Sequence, residues 1–75
     1  MANHITQWRP VVILNGVHII YSTYTKIKRD IKKLLHESAN NEIYVSRSKR
    51  GEWGEWFEYW SMFNGKPVIT KQGWM

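Results

Sequence analysis

The sequence predicts an α+β fold, a single helix packed on a twisted antiparallel sheet in the order ββαβββ, and three observations carry that expectation. Two Asn-Gly dipeptides, Asn15-Gly16 and Asn64-Gly65, stand between strand-like residues; Asn and Gly accept the positive φ that both central positions of a two-residue hairpin loop require. Between them Tyr24, Ile27, Ile31, Leu34 and Leu35 recur at the spacing of one helix face. Glu42 to Ser48 then alternates, with Ile43 and Val45 on one side. One apolar helix stripe beside several strands is most simply buried as a helix on a sheet of up to five strands.

Each element follows in order. Around the first turn Leu14 faces Val17, Val12 faces Ile19 and Pro10 faces Tyr21, while Ile13 faces His18 and Val11 faces Ile20 on the other side. Both faces of this hairpin are apolar, so one packs on the helix and the other is closed over by the sheet or left for a partner. Ser22 or Thr23 caps the helix start, and Asn40-Asn41 marks its stop because Asn tolerates the left-handed conformation that ends helices. After the third strand, Lys49-Arg50-Gly51 turns the chain into a strand from Glu52 to Met62. Two registers fit that turn: one opposes Val45 to Trp56, and one with a bulged Gly51 opposes Tyr44 to Trp56.

Around the second Asn-Gly turn Phe63 faces Lys66, Trp60 faces Ile69, Tyr59 faces Thr70 and Glu58 faces Lys71. Aromatic–aliphatic and acid–base pairs of this kind stabilise antiparallel strands by about 0.2–1 kcal/mol each. Alternation puts Trp56, Trp60 and Met62 with Pro67 and Ile69 on one face, favoured as core, and Phe57, Tyr59 and Phe63 with Val68 and Trp74 on the other. Pro67 lacks an N–H and suits a strand start or edge.

The 75 residues make one compact domain, 1–75, and at this length folding hides only about 60% of the unfolded chain's surface, which leaves a thin stability margin. With 43% apolar and 15% aromatic residues the chain is expected to fold rather than stay disordered. Zero cysteines remove disulfides, thiolate zinc sites and thiol nucleophiles. The longest apolar run, Val11 to Leu14, falls far short of a membrane span, and no signal peptide is evident, so a cytoplasmic location is expected.

Chemistry of an enzymatic kind finds little footing. The one aspartate is Asp30 on the helix, and His4, His18 and His36 lie on three separate segments with neither nucleophile context nor metal-ligand spacing. Glu52, Glu55 and Glu58 recur every third residue, which in a strand alternates their faces. The expectation is a non-enzymatic module with no cofactor and no metal.

Two surfaces remain. Eleven Lys and Arg against six Asp and Glu leave a net charge of +5, which favours polyanionic partners. Lys26, Lys28, Arg29, Lys32 and Lys33 lie opposite the apolar helix stripe, and Arg47, Lys49 and Arg50 cluster at the third turn. Together they form a rail for phosphates, giving salt-sensitive, sequence-independent affinity for DNA or RNA; this basic binding module is the leading expectation. The alternative is an accessory or inhibitor, of the kind phages and mobile elements encode, that docks an aromatic-acidic hairpin bearing Trp53, Glu55, Phe57 and Tyr59 onto a larger host protein. A homodimer burying the spare face of the first hairpin is compatible with both. The Arg50 to Tyr59 stretch departs from the RNA-recognition-motif strand because Glu52 follows the glycine and the chain has one helix instead of two.

Overall fold

A computed structural model describes residues 9–49 and 54–75. The elements are β1 (Val11–Leu14), β2 (Val17–Ile20), α1 (Tyr24–Glu37), β3 (Glu42–Arg47), β4 (Trp56–Phe63) and β5 (Lys66–Trp74), so the ββαβββ fold is observed. The strands form one antiparallel sheet in the order β2-β1-β3-β4-β5, and α1 lies across one face of it.

The first hairpin has the expected register, from Leu14↔Val17 to Val11↔Ile20, and the Tyr21 N–H donates to the Pro10 carbonyl at 2.9 Å. Asn15 (φ 52°) and Gly16 (φ 81°) take the positive φ that this loop demands. Asn15 also ties the turn to the helix end, donating through Nδ2 to the Glu37 carbonyl (3.0 Å) and accepting from the Ala39 N–H (2.8 Å). Thr23 is the N-cap, its hydroxyl accepting from the Lys26 N–H. The helix ends earlier than Asn40-Asn41: Ser38 is the C-cap, and the left-handed residue is Asn41 (φ 62°), in the turn that enters β3.

Val12 and Leu14 of β1, Ile43 and Val45 of β3, and Ile27, Ile31, Leu34 and Leu35 of α1 form the buried core, with Trp60, Met62, Ile19, Tyr21 and Tyr24 packed at its margin. The core thus lies between α1 and the face of the sheet that carries Trp60 and Met62.

Further expectations are corrected. The β3–β4 connection takes neither counted register: Arg47 opposes Trp56, Val45 opposes Glu58 and Tyr44 opposes Tyr59, because the connection is longer than a tight turn and β4 starts at Trp56. Arg50 to Trp53 lie outside the described residues. In the second hairpin Phe63↔Lys66 and Trp60↔Ile69 hold, but a bulge between Tyr59 and Trp60 shifts the rest, so Tyr59 opposes Lys71 and Glu58 opposes Gln72. The Glu58–Lys71 pair does not form. The same extra residue moves Trp74 to the face of Trp56, where their rings meet edge to face at 5.1 Å. Among the described residues no helix is long and apolar enough to cross a membrane.

Candidate functional site

Alternation along β4 places Glu58 on the helix side of the sheet with Trp56, Trp60 and Met62, where its residue exposure is 1%. A buried carboxylate requires compensating donors, and the neighbouring elements supply them. Oε1 accepts from the Tyr24 hydroxyl of α1 (2.6 Å) and from Trp60 Nε1 (2.9 Å). Oε2 accepts from Trp56 Nε1 (3.0 Å) and from Arg47 Nη2 of β3 (3.2 Å). The Arg47 guanidinium also covers the Tyr24 ring, 3.8 Å from its centroid. Burial, then the hydrogen bond to Glu58, raises the Tyr24 pKa well above the usual phenol range. This cluster fixes the start of α1 against β3 and β4.

Among the described residues, no helix lies over the opposite face of the sheet. Alternation turns Tyr44 of β3 and Phe57 and Tyr59 of β4 onto it, and the register brings the three rings together: Tyr44 and Phe57 are stacked at 6.2 Å, while Tyr59 meets Tyr44 edge-on at 5.0 Å and Phe57 at 5.8 Å. Offset and edge-to-face pairs at such distances stabilise the cluster beyond simple area burial. Val11 and Ile13 of β1 continue the apolar surface. Val11, Ile13, His18, Tyr44, Glu55 and Tyr59 line a shallow hollow of about 580 Å³. Lys71 borders the aromatic cluster on the other flank, and the Tyr44 hydroxyl donates to Met75 Sδ at 2.9 Å. The result is an apolar, aromatic surface with a few charges at its margin, the composition of a macromolecular interface centre.

Of the aromatic-acidic hairpin singled out in the sequence, Glu55, Phe57 and Tyr59 stand on or beside this face, while Trp53 lies outside the described residues. Tyr44, from the neighbouring strand, was missed; its place between Ile43 and Val45, both core, was the signal, since alternation must turn it outward. The positive charges divide. Lys26, Lys28, Arg29, Lys32 and Lys33 are exposed along α1; Arg29 pairs with Asp30 at 3.3 Å, which holds the Asp30 carboxyl below its ordinary pKa. Arg47 serves the Glu58 cluster, its side chain 18% exposed, and Lys49 Nζ sits 3.7 Å from the centroid of the Trp56 ring. Arg50 lies outside the described residues. Helix cations and aromatic cluster therefore occupy opposite sides of the molecule.

Among the described residues no group of His, Asp or Glu side chains is arranged to hold a metal ion. What the geometry offers is contact area of two kinds: a firm aromatic surface on the open face and solvated ammonium groups on the helix. Comparison of the chain with protein-family models, with curated proteins and with solved structures finds no match, so the reading of this small α+β domain as a surface built for macromolecular contact stands on its geometry.

Proposed function

We propose that the protein is a non-catalytic, protein-binding accessory module that docks the open face of its sheet onto a larger protein. The observation that carries this reading is the contiguous Tyr44–Phe57–Tyr59 cluster on a sheet face that no helix among the described residues covers. Tyrosine offers large contact area at small entropic cost and is enriched at the energetic centres of protein interfaces. Glu55 beside the hollow disfavours a phosphate backbone there and suits the polar rim of a protein contact.

A second reading, phosphate binding along Lys26, Lys28, Arg29, Lys32 and Lys33, is favoured by the exposure of all five on one helix. One experiment separates the two. Capture of partners from lysate is run with and without nuclease, using the wild type, Tyr59→Ala, and the triple reversal of Lys28, Arg29 and Lys32 to Glu. Protein docking predicts nuclease-resistant capture that Tyr59→Ala abolishes and the triple reversal leaves intact. Capture that nuclease removes and the triple reversal abolishes would transfer the function to the helix.

A further inference from the structure

The two edges of the sheet differ in how they meet solvent. An edge strand carries unpaired N–H and C=O groups, and proteins protect such edges with charge, proline or bulges. β5 has all three: exposed Lys66 and Lys71, Pro67 near its start, and the irregularity opposite Tyr59 and Trp60. At the other edge β2 reads Val-His-Ile-Ile, with no charged residue and no proline. Val17 is 60% and Ile20 65% exposed. The helix lies over β1, β3, β4 and β5, and β2 stands at its margin with Ile19 turned inward against the core.

The hairpin determines which backbone groups of β2 point away from β1. Pairs alternate between hydrogen-bonded and non-bonded along an antiparallel ladder. The two-residue loop makes Leu14↔Val17 a bonded pair, and the Tyr21-to-Pro10 bond confirms the alternation. His18 and Ile20 therefore oppose Ile13 and Val11 in non-bonded pairs, and their own N–H and C=O groups point outward.

We infer that β2 is a self-pairing edge, through which two copies of this chain join their sheets antiparallel about a two-fold axis at Ile19. Only in that register does each outward residue meet an outward residue of the other copy: His18 opposes Ile20 of the second copy and Ile20 opposes its His18, each pair exchanging both N–H···O bonds, with Ile19 facing Ile19. A register centred on His18 brings Ile20 against Gly16 in the turn, and one centred on Ile20 brings His18 against Ser22 beyond the strand. The edge is its own complement, which is why a second copy is the occupant: the same donors and acceptors recur on both sides, with no side-chain charge to oppose them. The axis stands normal to the sheet, so both helices lie on one side and both aromatic faces join into one surface on the other. Each helix spans several strands inward, so with β3 as their mean position the basic stretches sit about 24 Å apart at ordinary strand spacing. That separation is well beyond the Debye length of about 8 Å at physiological salt, so their repulsion is screened. β2 is short, so the association is weak and concentration-dependent.

The inference goes beyond docking on the open face and does not depend on it. The chain has no cysteine, which allows single-site cross-linking. Facing positions in a non-bonded pair have Cα atoms about 4.5 Å apart, within disulfide range, whereas the two copies of Val17 are about 13 Å apart in this register. Mild oxidation is expected to link Ile19→Cys into a covalent dimer and to leave Val17→Cys monomeric despite its greater exposure. Sedimentation of the wild type should shift from monomer toward dimer as concentration rises, and His18→Pro, which deletes an outward N–H while keeping the bonds to β1, should abolish that shift. Tyr59→Ala should leave it unchanged, which separates failure here from failure of the docking reading. A wild type that stays monomeric throughout, or equal cross-linking of Val17→Cys and Ile19→Cys, overturns the inference.

Discussion

Glu58 holds more of this molecule together than any other polar side chain described, because its carboxylate joins α1, β3 and β4 through Tyr24, Arg47, Trp56 and Trp60. Removing it leaves those half-buried donors, Arg47 among them, unanswered, so Glu58→Ala is expected to cost about 3–5 kcal/mol, most of the stability of a domain this small; urea unfolding measures it. Tyr24 adds a pH dependence. Its pKa is raised in the folded chain from an ordinary value of 10.0 by burial and by Glu58. Below pH 10 both folded and unfolded forms keep the phenol proton, and this contribution is fully present. Above pH 10 the unfolded chain releases its proton first, so stability falls as pH climbs toward the folded value. Tyr21 and Tyr44 are raised in the same direction. Urea midpoints measured across that alkaline range should fall steeply for the wild type and less steeply for Tyr24→Phe.

Among the elements, α1 is held by its caps as well as its apolar stripe. Thr23 accepts the Lys26 N–H at one end, while Asn15 reaches the Glu37 carbonyl and the Ala39 N–H at the other. Thr23→Ala should therefore lower stability by about 1 kcal/mol without changing the fold, visible as an earlier loss of helical circular dichroism in denaturant. The hairpins were legible because an Asn-Gly loop fixes the register of the residues beside it, and Phe63↔Lys66 and Leu14↔Val17 fall where counting places them. Counting fails past Trp60. Thr70 is the extra residue of β5 there, while β4 keeps its alternation and Glu58 its place beside Trp56 and Trp60, and no nearest-neighbour pattern in β5 announces the insertion. The β3–β4 connection was illegible for a different reason: its tight-turn signal, Arg50-Gly51, sits inside a longer link whose length is set by the Arg47↔Trp56 pairing.

At the scale of the whole molecule, one face of the sheet is occupied by the helix and the other presents Tyr44, Phe57 and Tyr59, with the ammonium groups of α1 on the far side. The triple reversal of Lys28, Arg29 and Lys32 to Glu should leave the unfolding free energy within about 0.5 kcal/mol of the wild type, since these side chains are exposed, among the described residues only Arg29 of the three makes an ion pair, and Lys28 touches the Tyr24 ring only at 5.4 Å. The sequence by itself determined the element order, the two hairpin turns, the helix stripe and the basic flank, because each is written in residues adjacent in the chain or one helical turn apart. Only tertiary structure decided that β1 sits between β2 and β3, that Arg47 leaves the cationic set to serve Glu58, and that Tyr44 joins Phe57 and Tyr59. Those outcomes depend on pairing between strands far apart in sequence and on the partners a buried charge must find, and neither is a property of any local stretch of chain.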